Sequence, residues 1–424
     1  MTTAEARSFV RPQFVKWSAL AFAMLLPILT YTLWDYVEMR RFRSRLDAIA
    51  ARGEPISIQG PLKLSDDAAD ADRLYRAAGA LAMSFSAGQP SSVQIALHSN
   101  GDLPEEAVGA ARTVVSKYGE ALALADRAAE LPFEGFRPGT TFNYLVSSIL
   151  DVSRLCDLRA KLAIIDGRAD AAVDSLYTQA RLKRIAATFV LLNQMTLSMV
   201  VERTHPSPSA LRKLAGAFGD LDRDDYLKHD FIRLRAQAVD SSQMPLSSGL
   251  FAIRQEANPQ PWEVHRYTRA LDTFAQIIAM TEQPDPARIP AVLAVGRFPD
   301  VLPQSTVRSR ENLEGFVHAR VRSAAIVRAS RTLVAVERFR RDHDERMPAD
   351  LQELVPTYLE RLPIDPYTGQ AMRYRALERG YTVYSVGPNG RDDGGEMTLA
   401  ERRELSLRDR DHWRNRDDAG IRVQ

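Results

Sequence analysis

One cysteine in 424 residues, Cys156, excludes an intramolecular disulfide and any cysteine-based zinc or redox motif. Its setting, Ile149-Leu150-Asp151-Val152-Ser153-Arg154-Leu155-Cys156, has helical spacing and predicts a small buried apolar residue rather than a reactive thiol. Histidine is sparse as well: the seven are scattered singly, with no His-Glu-x-x-His pair. Gly-x-Ser-x-Gly, Gly-x-x-x-x-Gly-Lys-Ser/Thr and dinucleotide fingerprints are missing. No charge of one sign dominates, since 56 Lys+Arg against 54 Asp+Glu leave +2, so no whole-protein field attracts nucleic acid and no nucleic-acid partner is expected. What is present, 45% apolar and 26% charged residues, is ordinary for a globular chain long enough to bury more than one core.

Long uncharged runs are confined to two places. Trp17–Trp34 is 18 residues without a charge, enough as helix to cross most of a bilayer's hydrocarbon core. Trp17, Tyr31, Trp34 and Tyr36 stand toward its ends as interfacial aromatics, and Pro27 is compatible with a kinked but inserted helix. No small-x-small cleavage site follows it, which favours an uncleaved anchor over a signal peptide. Arg7, Arg11 and Lys16 precede the run, and Arg40, Arg41, Arg43 and Arg45 follow it, so the positive-inside rule is silent on orientation. The second run, Ile185–Val201, is interrupted by Asn193, Gln194, Thr196 and Ser198 and is pressed by Lys183-Arg184 and Glu202-Arg203, so it reads as a helix in a bundle core rather than a second span.

Between anchor and carboxy terminus the pattern is helical. A basic amphipathic segment runs over Phe42–Ala51 until Arg52-Gly-Glu-Pro breaks it, and residues 52–71 read as a stalk. Asp70 or Asp72 is the expected cap of a helix over Leu74–Phe85, and Pro104-Glu-Glu opens a helix over 104–130. Helices over about 142–165 and from 170, joined by Asp166-Gly167-Arg168, form an αα-hairpin. Its Ala/Leu/Gly placement resembles one tetratricopeptide unit, but no partner units recur at a fixed period, so a generic bundle leads over a degenerate repeat array. Further helices are expected over 209–218, 224–239, 262–280 and 311–343.

Two motifs imitate metal sites. Glu202-Arg-Thr-His205 has a Glu-x-x-His spacing, but a di-iron bundle needs a second pair and further glutamates. Asp220-Leu-Asp-Arg-Asp-Asp225 opens like an EF-hand loop, yet Asp225 stands where glycine is needed and Phe231 where glutamate is needed, so helix capping and surface charge account for it. His343, at a helix end, has a structural reading beside the helix dipole.

The most informative stretch lies near the end. Met372–Arg375 and Tyr381–Val386 alternate aromatic and β-branched residues across a polar link and predict a strand pair. Gly387–Gly395 follows, with four glycines, a proline and three Asn/Asp residues. This is a loop of positive φ that reads either as a solvated turn or as a candidate calcium site. The helix ending Val336-Glu-Arg-Phe-Arg-Arg-Asp-His343, then Met347-Pro348, Leu351, Leu354, Leu362-Pro-Ile-Asp-Pro366 and Tyr384-Ser-Val-Gly387, resembles the globular head of the major pseudopilin of type II secretion systems over about residues 330–396. That resemblance implies an extracytoplasmic small α+β domain and a calcium loop, with Ser385, Asn389, Asp392 and Asp393 at the ligand positions. Asn389 stands where the family usually has Asp, and the Gly-Gly pair comes a residue late.

The expected fold class is mainly α: an N-terminal transmembrane helix, a helical-bundle body and a small α+β pseudopilin-like carboxy-terminal domain. The expected map is a tail over 1–16, the span over 17–37, a juxtamembrane stalk over 38–71, the body over 72–310, a long helix plus head over 311–396 and a charged tail over 397–424. The expected function is that of a single-span bacterial inner-membrane protein with the bulk of its chain periplasmic. Its expected partners are the lipid bilayer and proteins, with secretion or pilus components as the class. No catalytic residue and no cofactor beyond calcium is expected; the alternative is an envelope enzyme with its active site dispersed in the body.

Overall fold

The computed structural model describes residues 3–57, 65–83, 85, 102–132, 142–183, 194–222, 225–242, 260–295, 310–395 and 418–423. Helix α1 runs unbroken from Thr3 to Ala51 and stops where Arg52-Gly53 turns, Gly53 at φ 69°. It is the one helix among the described residues long and apolar enough to cross a membrane, and nothing in the fold covers its apolar window. Past Trp34 the helix changes character: Phe42, Leu46 and Ile49, at spacings of four and three, form a buried stripe.

The chain divides into two compact units. The first comprises residues 1–60, 230–279 and 295–310, so the body expected over 72–310 is shared between the two. Besides α1 it contains most of α9 (Tyr226–Ser241) and α10 (Pro261–Met280). Buried within it are the α1 stripe, Phe231 of α9 and Val264, Leu271, Phe274 and Ile278 of α10. Each such side chain removed from water contributes about 1.5–3 kcal/mol. Arg45 pairs with Asp272 at 2.6 Å, and Arg235, buried, reaches Glu54 at 2.6 Å.

The second unit holds α2 (Asp66–Ala82), α3 (Glu105–Lys117), α4 (Gly119–Ala129), α5 (Phe142–Ile165), α6 (Ala169–Lys183), α7 (Gln194–Arg203), α8 (Pro208–Leu221), α11 (Arg288–Ala294), α12 (Arg310–Asp342) and a small sheet. Helix α2 begins eight residues ahead of the expected Leu74. Its cap is Ser65, whose hydroxyl accepts from the Ala68 amide, while Asp72 is buried against Arg76. The expected 104–130 helix is two, parted at Tyr118. The α5–α6 hairpin ends its first helix in a Schellman turn: Arg168 N donates to Ala163 O at 2.8 Å, and Gly167 takes the left-handed φ of 68°. The described part of the second uncharged run, α7, is buried, as a bundle helix should be.

Two cores fill this unit. One joins α2 to α5 around Tyr75, Phe85, Leu122 and Leu155, with Cys156 inside it. Burial pushes that thiol up to about 12, which makes it an inert packing residue. The other is continuous from Leu176, Leu211 and Phe218 of the helices through Val334 and Phe339 of α12 to Tyr381, Val383 and Ile421 of the sheet. The carboxy-terminal segment is therefore part of a shared core.

The sheet is antiparallel in the order β1 (Arg373–Ala376), β2 (Tyr381–Ser385), β3 (Ala419–Val423). The strand pair expected from the sequence is β1–β2, in register Tyr374 with Val383. Strand β3 lies within the region expected as a charged tail, and it pairs Thr382 with Arg422 and Tyr384 with Gly420. Gly420 is required there: a Cβ would meet the Val383 carbonyl oxygen and lie 2.5 Å from Tyr384 Cα. Ser198 of α7 donates to the Arg422 carbonyl at 2.7 Å, tying the new strand to the helices. The rest of that charged stretch, residues 397–417, lies outside the described residues.

Candidate functional site

Every residue of β2 is buried, although strict alternation would leave one face wet. Tyr381 and Val383 face the shared core. Thr382 and Tyr384 are covered by the Gly387–Gly395 loop, whose Gly395 has room only for hydrogen, because a Cβ would come within 2.8 Å of Thr382 Cγ2.

Asp365 holds the beginning of this arrangement. Its carboxylate is buried and accepts from Ser385 Oγ at 2.7 Å, the Tyr367 amide at 2.8 Å and the Val386 amide at 3.0 Å. Three donors compensate its lost hydration and clamp the Asp365–Gly369 turn to the end of β2. Ser385 in turn accepts from Gly387 N at 3.2 Å.

The remaining acidic and amide groups close the loop on itself. Asn389 Oδ1 accepts from Arg391 N at 2.9 Å, and its Nδ2 donates to Asp393 Oδ2 at 3.0 Å. Asp392 Oδ1 accepts from the Tyr384 hydroxyl at 2.8 Å and from Gly394 N at 3.0 Å. That hydroxyl, with help from the Gly394 amide and the Arg373 and Arg375 guanidiniums, holds Asp392 below the usual carboxylate range despite some desolvation. Asp418, one residue before β3, accepts from Gly395 N at 2.7 Å and from Asp393 N at 3.4 Å. Burial pushes its carboxyl up to about 6, with the nearby Asp393 and Asp392 charges adding to the rise and the two amides opposing it.

Of the four expected ligands, the structure brings Asn389, Asp392 and Asp393 into one loop and turns Ser385 away toward Asp365. Hard cations take about six to eight oxygens around one point. Here the oxygens are aimed at amides and hydroxyls of the loop itself, and among the described residues no group of three or more His, Cys, Asp or Glu side chains is arranged to hold a metal. In this arrangement the loop's own donors occupy those oxygens. Asp365 and Asp418 are the residues that sequence reasoning does not assign to the site. The only signal for the first is its Asp-Pro turn, and the second falls in a charged stretch with no motif.

A second polar cluster in the same unit is wholly structural in its partners. Arg328 of α12, 3% exposed at its side chain, donates to Asp222 Oδ1 at 2.9 Å, Asp285 Oδ2 at 3.1 Å and the Ile364 carbonyl at 2.7 Å. Arg331 takes the other Asp222 oxygen at 2.8 Å. Burial works against the Arg328 charge, but Asp222 and Asp285 outweigh it and raise its pKa. Asp222 belongs to the EF-hand-like run, and it is a largely buried ion-pair residue rather than surface charge. Its neighbours go elsewhere: Asp220 pairs with Arg181 at 2.7 Å and Asp225 with His229 at 2.9 Å. In the other imitation site, Glu202 and His205 are both exposed. His343 stacks on Phe339 with ring centres 4.0 Å apart and bonds its carbonyl, a packing role.

No protein-family model, curated protein or solved structure matches this chain.

Proposed function

We propose that this chain is a single-span protein of the bacterial inner membrane whose helical units and pseudopilin-like carboxy-terminal segment act outside the cytoplasm as a structural or protein-binding component, linked to secretion or pilus assembly. The observation that carries the reading is α1. Its stretch from Trp17 to Trp34 leaves Phe22 63% and Leu33 62% exposed, an apolar surface that only lipid or a partner would cover. The largely buried Asp222 and Asp285 and the buried Asp365 are each engaged by structural partners, which favours binding over chemistry. The segment resembling a pseudopilin head shares its core with the body, so it would act as a fixed part of the body's surface and not as a detachable module.

Membrane side is tested by cysteine labelling in cells. Cys156 is buried, so an Arg391→Cys variant in the exposed loop supplies the reactive thiol. Labelling of intact spheroplasts by an impermeant maleimide supports the orientation; labelling only after lysis overturns it. Crosslinking of the membrane-embedded chain, scored for secretion-system components, tests the partner class, and a wild-type pattern free of them removes it.

A further inference from the structure

Below the interfacial aromatics, the first unit contains a groove of about 570 Å³ between α1 and α10. The two helices run in the same direction there. Trp34 and Trp262 lie with ring centres 6.4 Å apart, Tyr31 donates to Gln260, and farther along Arg45 meets Asp272 at 2.6 Å. Trp262 is 54% exposed, which is costly for an indole in water and natural at a bilayer interface. Tyr36 is exposed beside the same groove.

Arg40, Arg41, Arg45 and Arg269 line this groove, against the two acids Glu38 and Asp272. Each acid already has an arginine partner of its own. Glu38, buried, accepts from Arg41 at 3.0 Å through one oxygen, its other oxygen lies 3.2 Å from His265 without a hydrogen bond, and Asp272 is taken by Arg45. Arg40 and Arg269 have no ion-pair partner among the described residues, and both are exposed. Position explains what two free guanidiniums could serve. Arg40 is six residues beyond Trp34 and Arg269 seven beyond Trp262, about 9 and 10.5 Å along the respective helix axes. That depth lies just outside the hydrocarbon, where long basic side chains reach back to the headgroup layer. A guanidinium fork matches phosphate oxygens bidentately.

We propose that this groove binds the phosphate group of an anionic lipid headgroup, with Arg40 and Arg269 as its direct ligands and Trp34 and Trp262 fixing its depth. The inference rests on the membrane reading of α1. Glu38 and Asp272 position the flanking Arg41 and Arg45 and thereby leave the central pair to the ligand. The groove therefore prefers an anionic lipid over a zwitterionic one of the same chain length.

The test uses the full chain purified in neutral detergent, titrated with dioleoyl phosphatidylglycerol, dioleoyl phosphatidylcholine or inorganic phosphate, with bound species counted by native mass spectrometry. Phosphatidylglycerol is expected to be retained preferentially. Each basic residue near an anionic surface is worth about fivefold in binding, so Arg40→Gln with Arg269→Gln should weaken retention about 25-fold. The remote pair Arg379→Gln with Arg391→Gln should not. Replacing Arg40 and Arg269 by lysine should restore part of the loss, and unfolding midpoints compared across variants exclude misfolding. Equal retention of the two lipids, or equal loss in the remote pair, overturns the proposal. Full competition by millimolar inorganic phosphate assigns the site to free phosphate and overturns the lipid. Carbonate extraction separates the two readings: a chain released into the supernatant refutes the membrane anchor, whereas a chain kept in the pellet without lipid preference refutes only the groove.

Discussion

Replacing Gly420 by alanine adds one methyl group at the point where β3 crosses β2, and the structure gives that methyl no space. It would meet the Val383 carbonyl oxygen and sit 2.5 Å from both Cα and Cβ of Tyr384, so backbone rather than a flexible side-chain tip must yield. The cheapest response is for β3 to leave the sheet. Ile421 and Val423, 1% and 3% exposed, would then lose their burial, at about 1.5–3 kcal/mol each. The sum, about 3–6 kcal/mol, is a large share of the about 5–15 kcal/mol that folded domains hold in total. With roughly 2–4 °C per kcal/mol for a unit of this size, the unfolding midpoint of the detergent-solubilised chain should fall by at least about 6 °C. Limited proteolysis followed by intact-mass measurement should show early loss of the carboxy-terminal residues. Removing residues 418–424 should reproduce the fall in midpoint. A Gly420→Ala chain that melts with the wild type and resists carboxy-terminal cleavage would refute the seating of β3.

Arg328→Ala removes the cation shared by Asp222 and Asp285 but leaves each a second one, Arg331 at 2.8 Å and Arg288 at 3.1 Å, so it should cost about 1–3 kcal/mol in urea unfolding, whereas the exposed Arg379→Ala should be neutral. Asp418 holds its proton in the folded state up to about pH 6 but loses it near 3.9 when unfolded, so its stabilising contribution is full below 3.9 and lost as pH rises through 6. After solvent screening that is about 1–2 kcal/mol, read as an unfolding midpoint that declines across this window and flattens in Asp418→Asn. Calcium at millimolar concentration should leave the midpoint of the whole chain within about 1 °C; a rise of several degrees, abolished by Asp392→Ala with Asp393→Ala, would reinstate the cation.

Local features are legible in the sequence because their causes are local. The end of α1 at Arg52-Gly53, the turn at Gly167 and the β1–β2 pair each depend on a few adjacent residues whose backbone preferences agree with the fold. The start of α2 is obscured by its own acids: Asp70 and Asp72 look like caps, while the serine that caps it stands ahead of a run of acids that the helix absorbs. What cannot be read depends on distance. Ala419-Gly-Ile-Arg-Val423 is too short a strand pattern to announce itself, and it is buried only because β2 and α7 are there to receive it. Asp222 and Arg328 are 106 residues apart, so neither signals the other. The same holds for the groove, which Arg40 and Arg269 line from two helices 229 positions apart in the chain.

The position of β3 also sets an order of events in folding. Strand β2 can pair with β1 as soon as its hairpin emerges, but its other edge waits for Ala419–Val423, and the Ser198 contact to Arg422 closes a separation of 224 residues. Contacts of such range form late, since the loop must close before the contact rewards it. During that interval an apolar, unpaired edge carrying Tyr381 and Val383 is open to any passing strand. Refolding yield should therefore fall with rising protein concentration more steeply than the chain's final stability suggests, because that edge is open to neighbouring chains.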